Sequence, residues 1–228
     1  MIKNRYDEKL REGNQLIIDL TPGNYTLRIQ LALELKKIVN KKELKILEIG
    51  SGEGDLTKFI LKNNKNFKID CLDVSREMIN ISKQLLSEYQ NRINFINDDA
   101  LEYLKKIDFK YDIIASAWTI HNFKWKEKHE TLKNIYNNLP RKGVFLLMDK
   151  FYPNDKSEQK KLLDRQLNRF RYLDQELKNE IILHENQDIL DEYRMDESKS
   201  LKALENVGFK NIKILDRVDR DILLIAEK

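Results

Sequence analysis

Two hydrophobic rhythms alternate along the chain. Short, nearly continuous apolar runs at residues 45–49, 67–73, 93–100, 111–117 and 144–149 have the length and pattern of buried strands. Between them lie stretches with apolar residues at helical spacing, one starting at Ser75 and another covering 126–139. Strands alternating with helices predict an α/β fold with a mostly parallel sheet covered on both faces. Before the first strand, residues 25–39 place Leu27, Leu31, Leu35 and Ile38 on one side of a helix. That helix follows mixed helical sequence at 6–20 and a break at Thr21-Pro22-Gly23-Asn24. Residues 151–197 are densely charged, with Leu163, Leu167, Phe170, Leu177 and Ile181 at helical spacing. A further helix at 200–207 ends on Gly208, a residue suited to the left-handed helix terminus. Two strands, near 210–216 and 221–226, close the sequence. We therefore expect one domain: a helical cap (1–40), a core (41–150), a helical insertion (151–197), and a terminal helix with a strand pair (198–228).

The sharpest chemical signal is the junction of the first strand with its helix, Glu48-Ile49-Gly50-Ser51-Gly52-Glu53-Gly54-Asp55. Three glycines at every second position let the backbone turn sharply and admit a ligand where a Cβ would stand. The N–H groups of such a turn and of the helix start favour an anionic group. The dinucleotide turn reads G-x-G-x-x-G; here that third position is Asp55, and the glycines follow the acid as E-x-G-x-G-x-G. Asp73 ends the second strand, 19 residues after Gly54, where a carboxylate can accept both hydroxyls of a ribose. Ser75 is placed to cap the next helix.

This ordered set resembles the Rossmann-like (class I) S-adenosylmethionine (AdoMet) methyltransferases, small-molecule type, and the resemblance runs over essentially the whole chain. It implies a seven-stranded, mostly parallel sheet whose last strand is antiparallel, with helical lid segments, and AdoMet as cofactor. The implied contacts are Glu48, Gly50, Ser51, Gly52 and Gly54 in the turn, Asp73 and Val74 at the ribose, and Met78 near the adenine. Asp99 with the Ala100 backbone N–H would read the adenine edge. Tyr111-Asp112-Ile113-Ile114-Ala115-Ser116-Ala117-Trp118-Thr119-Ile120-His121-Asn122-Phe123 matches the family's fourth-strand segment. Ala117 belongs to the cofactor side, Trp118 is a pocket wall, and His121 is the candidate general base for a hydroxyl acceptor. Tyr25 stands at the start of a lid helix and is expected to reach the cofactor. The implied reaction is in-line transfer of the sulfonium methyl to an oxygen, nitrogen or other nucleophile of a small molecule.

A narrower similarity is to carboxy-S-adenosylmethionine synthase, an enzyme of tRNA modification on the same fold. Pro22-Gly23-Asn24-Tyr25 and Arg194-Met195-Asp196-Glu197 carry it, with Arg194 as the carboxylate-binding residue. The family's asparagine after strand four is replaced by Ala117. An NAD-dependent oxidoreductase fits less well, because the third dinucleotide glycine is Asp55. A non-catalytic AdoMet-binding protein would leave the same cofactor motifs.

Composition narrows the partners. Charged residues make up 35% of the chain, yet the signs nearly cancel at +4, unlike a nucleic-acid binder with a concentrated basic face. Lys36, Lys37, Lys41, Lys42 and Lys45 cluster around a helix end, where lysines suit the helix dipole. The single cysteine, Cys71, lies in an apolar strand as a core residue. No intrachain disulfide, leader or apolar stretch of membrane length is visible, so we expect a cytoplasmic protein. His121, His129 and His184 are scattered without metal-ligand spacing, so no metal is expected. A homodimer is compatible with the sequence.

Overall fold

The computed structural model describes residues 21–38 and 43–228. The stretch at 6–20, Val39, Lys41 and Lys42 lie outside the described residues. Helix α1 (Pro22–Ile38) precedes β1 (Leu44–Ile49), α2 (Asp55–Asn63), β2 (Phe67–Asp73), α3 (Arg76–Leu85) and β3 (Ile93–Asn97). Then come α4 (Ala100–Lys106), β4 (Ile113–Ala117), α5 (Trp125–Asn138) and β5 (Val144–Lys150). The insertion forms α6 (Lys156–Arg169) and α7 (Gln175–Asp188), and α8 (Glu197–Val207), β6 (Lys210–Val218) and β7 (Asp221–Glu227) complete the chain.

The seven strands form one sheet in the order β3-β2-β1-β4-β5-β7-β6. Neighbours from β3 to β5 run parallel, and β7 pairs antiparallel with both β5 and β6. This is the expected doubly wound sheet. The strand order reverses between β1 and β4, where open α/β sheets leave a crevice beyond the strand tips.

Strand alternation divides the core. Leu47, Ile49, Ile114, Phe145 and Leu147 pack on one face against Leu104, Ile135 and Leu204 of α4, α5 and α8. Ile46, Ile69, Cys71, Ile113 and Leu146 face the other way, against Leu27, Leu31 and Leu35 of α1 and Leu56 and Ile60 of α2. Successive strand residues point to opposite faces, so continuous apolar runs serve both layers.

Helix α1 starts three residues before the expected Tyr25, at Pro22. Proline suits a first helical position because its missing N–H would have no partner there. Gly208 ends α8 at φ 119°, as expected of a left-handed terminus. Lys128 of α5 is buried, and its ammonium donates to the carbonyls of His121 (2.9 Å), Phe123 and Tyr193 (2.8 Å). It ties the loop after β4 to the segment after α7. Lys128→Met should leave those carbonyls without their donor and cost about 3 kcal/mol of stability in urea denaturation. The exposed Lys133→Met on the same helix should stay within roughly 0.5 kcal/mol.

Candidate active site

A cavity of about 350 Å³ opens at the carboxyl ends of the parallel strands. The glycine turn after β1 forms its floor. Gly50 (φ 69°), Gly52 (φ 53°) and Gly54 (φ 91°) all adopt left-handed backbone. A Cβ on Gly50 would collide with Thr119, whereas one on Gly52 would meet nothing, because that residue borders open space. Gly54 does not line the cavity; it begins α2 packed against Ser82 and Leu86.

The acids at the strand tips hold this turn. Asp73 accepts from the backbone N–H groups of Gly52 (2.8 Å) and Ser75 (2.8 Å), one on each carboxylate oxygen. Burial raises its pKa, and those two bonds oppose the rise. Each oxygen keeps a lone pair for a ligand hydroxyl. Ser75 caps α3, accepting from Met78 N–H as expected. Asp99 caps α4 through the N–H groups of Leu101 and Glu102 while also lining the cavity. Val74, Met78, Ala100 and Ala117 border the same cavity. Glu48 is buried at the end of β1 with the Thr57 hydroxyl donating to it, and burial pushes its pKa up to about 8.

Helix α1 supplies groups that the sequence reading did not single out. Arg28 lies 8% exposed, pairs with Asp55 at 3.2 Å and stands over the Trp118 ring at 5.3 Å. Its Nε, the Asn24 Oδ1 and the Ser51 Oγ are buried in the cavity wall with no hydrogen-bond partner among the described residues. Three such atoms in one wall fit a ligand carrying both donors and acceptors. Trp118 itself adopts φ 45°, costly for a non-glycine residue, and its indole donates to Asp221 at 3.2 Å. Tyr25 points outward, 55% exposed and edge-on to Phe59, away from the cavity.

The opposite end is polar and closed by the insertion. His121 Nδ1 lies 2.6 Å from Asp149 Oδ1, and the other Asp149 oxygen accepts the His121 backbone N–H at 3.1 Å. A carboxylate only accepts, so Nδ1 carries the proton and, in the neutral ring, Nε2 keeps its lone pair. Ile181, His184, Glu185 and Asp188 of α7 all border the cavity. Their i, i+3, i+4, i+7 spacing makes them one helical face. Lys150 reaches Asp188 (2.7 Å) and Glu185 (3.4 Å), and Arg220 grips Glu185 and the Tyr152 hydroxyl. Burial opposes charge in both acids, but Lys150 and Arg220 hold Glu185 well below the usual carboxylate range, and Lys150 with His121 holds Asp188 below it as well.

Arg194 does not line the cavity; its guanidinium meets Asp191 at 3.2 Å. No group of three or more potential metal ligands occurs among the described residues. No described helix is long and apolar enough to cross a membrane.

A methyltransferase-domain family matches residues 47–145. Over 98% of its length the chain is 25% identical to carboxy-S-adenosyl-L-methionine synthase of Nautilia profundicola, covering 94% of that protein. It is 38% identical over 105 residues to malonyl-[acyl-carrier protein] O-methyltransferase 1 of Ilyobacter polytropus, which spans 46% of this chain and 37% of that one. A solved putative S-adenosyl-L-methionine-dependent methyltransferase of Methanococcus maripaludis superposes over the entire chain and 97% of its own, with TM-score 0.64 at 17% identity. The methyltransferase-domain match and the full-length likeness to these relatives support a class I AdoMet-dependent methyltransferase.

Glu48 has a measurable consequence. Its carboxyl binds a proton more tightly in the folded chain than in the unfolded one, so stability falls as pH rises from the ordinary value near 4.5 to about 8. Between pH 6 and 8 the ligand-free protein should lose roughly 2 kcal/mol more than the Glu48→Gln variant. Guanidinium denaturation of both proteins at the two pH values checks this.

Proposed function

We propose that this protein transfers the methyl group of AdoMet to a small-molecule nucleophile bound beside His121. When bound, AdoMet supplies a methyl carbon on positively charged sulfur. The chain's own residues then bind, orient and exclude water. Asp73 accepts from the ribose, the Gly50–Gly52 backbone lies against the ligand, and Asp99 with the Ala100 N–H meets the adenine. Arg28, Asn24 and Ser51 take the amino-acid portion. Holding nucleophile and methyl carbon in line is worth up to roughly 7–11 kcal/mol, and requires no metal or covalent enzyme intermediate. His121, aligned by Asp149, accepts the nucleophile's proton at Nε2. The α6–α7 insertion covers the acceptor end as a lid.

The observation that carries this reading is the convergence on one cavity of the glycine turn, Asp73, three partnerless polar atoms and the His121–Asp149 pair. Its test is calorimetry with S-adenosylhomocysteine. Wild type should bind in the micromolar range, and Asp73→Ala should lose about 1.5–3 kcal/mol of affinity. Unchanged affinity in that variant would remove Asp73 from the site.

The full-length likeness to carboxy-S-adenosyl-L-methionine synthase keeps a second reading in view, in which the bound ligand carries an extra carboxylate. Arg194, the residue that reading needs, lies outside the cavity wall and against Asp191. Protein purified natively should therefore release no carboxylated ligand on mass spectrometry. Arg194→Ala should hold S-adenosylhomocysteine within about threefold of wild type, under 1 kcal/mol. Release of carboxy-AdoMet that the variant loses would make the second reading the leading one.

A further inference from the structure

The acceptor end of the cavity has a charge and hydrogen-bond pattern that bears on which nucleophile it takes. Glu185, Asp188 and Asp221 border it, and Asp149 stands behind His121. Among the described residues Lys150 and Arg220 are the cations at that end, and Arg28 lines the cavity on the other side of Trp118. Burial pushes the Asp221 pKa up. Leaving Asp221 aside, Glu185, Asp188 and Asp149 face Lys150 and Arg220. An anionic acceptor would enter against this excess, whereas a cationic one would balance it.

The local geometry is more specific. His121 Nε2 and Asp188 Oδ2 lie 4.0 Å apart, beyond direct hydrogen-bond reach. With Nδ1 committed to Asp149, both groups present lone pairs to the same space. Lys150 already donates to Asp188 Oδ2 at 2.7 Å, which leaves that oxygen one lone pair beside the His121 Nε2 acceptor. A hydroxyl carries one proton and can satisfy one of them. A primary ammonium carries three and can satisfy both at once. Ile181, Phe123 and Trp118 on the same cavity offer apolar and aromatic surface for the rest of such a molecule.

We propose that the methyl acceptor is a small primary amine with an apolar body, bound as its ammonium between His121 Nε2 and Asp188. This rests on the methyltransferase reading above and deepens it by naming the nucleophile. The ammonium gives one proton to His121 Nε2. The freed nitrogen lone pair forms the N–C bond as the methyl C–S bond breaks, and that bond's electron pair remains on sulfur. The products are the N-methylammonium, S-adenosylhomocysteine and a protonated His121. Asp188 holds the nitrogen throughout, and Asp149 stabilises the imidazolium that forms.

The test compares two probes of nearly equal shape, phenethylamine and 2-phenylethanol, titrated calorimetrically into protein saturated with S-adenosylhomocysteine. The amine should bind at least about tenfold more tightly than the alcohol. In Asp188→Asn that preference should fall at least about fivefold. Lys150 keeps Glu185 as a partner in this variant, so its charge is not stranded. Equal or tighter binding of the alcohol overturns the proposal, and so does a preference that Asp188→Asn leaves intact. Binding of neither probe at roughly 10 mM, with S-adenosylhomocysteine bound, overturns it too. Should Asp188→Asn fail to fold, the comparison in the wild-type protein decides alone. Absence of S-adenosylhomocysteine binding would instead bring down the methyltransferase reading itself, and calorimetry without either probe separates the two failures.

Discussion

Asp73 receives two backbone N–H groups, from Gly52 in the turn after β1 and from Ser75 at the start of α3. Those two bonds lock adjacent strand-to-helix turns together. The lock requires left-handed backbone at Gly50 and Gly52, and at Gly50 it also requires the absence of a Cβ beside Thr119. A side chain at that position would push apart the turn and the loop after β4, the two walls that meet at the reversal of strand order. Everything placed by those walls, Trp118 and His121 included, depends on the approach. Two N–H bonds to a charged carboxylate are stronger than neutral ones, so the turn is rigid before any ligand arrives.

The other end of the cavity follows a different logic. Lys150 and Arg220 belong to the sheet and its last turn; Glu185 and Asp188 belong to α7 of the insertion. Cations on the core and acids on the insertion give the insertion one seating. Desolvation offsets much of what such pairs gain, so they are weak evidence for stability and better evidence for position. α6 supports this interpretation, since it has no buried residue of its own. Apolar packing therefore does little to seat that part of the insertion. Charge and hydrogen bonding seat α7 and, in doing so, turn His184, Glu185 and Asp188 toward the cavity.

The strands and the glycine turn were legible because they are written in consecutive residues. A buried strand is a run, and a turn needing left-handed backbone shows its glycines. Tyr25 was harder to place. With Leu27, Leu31 and Leu35 packed on the core, Tyr25 lies about 200° around the helix from Leu27 and faces outward, while Asn24 and Arg28, four residues apart, border the cavity. Asp149 had a faint local signal, an acid ending an otherwise apolar strand. Its partner lies 28 residues earlier, and nothing in the sequence pairs them. The α7 acids were hidden differently. In a chain where 35% of residues are charged, two more carboxylates on a helix look like solvated surface. Only the sheet's cations reveal them as buried.

The two sets of relatives divide along the same line. Likeness to the acyl-carrier-protein methyltransferase covers 46% of the chain, whereas likeness to the carboxy-AdoMet synthase covers 98% of it at lower identity. Cofactor geometry is shared by any protein with this turn, so the shorter match says little about the nucleophile. The longer match includes the insertion, but its 25% identity leaves room for the residues that choose a substrate to differ. In the reading proposed here those residues are His121, Asp149 and Asp188, beside Lys150 and Arg220. An acidic pocket beside a sulfonium stabilises the positive charge that is lost on transfer, which by itself slows the step. That loss is offset if positive charge is not removed but moved, onto the His121 imidazolium and, for an amine, the acceptor nitrogen, within reach of the same carboxylates. The proposed amine acceptor would keep two positive charges beside the acidic wall through the step, the N-methylammonium and the His121 imidazolium, whereas a neutral hydroxyl acceptor would leave the imidazolium alone.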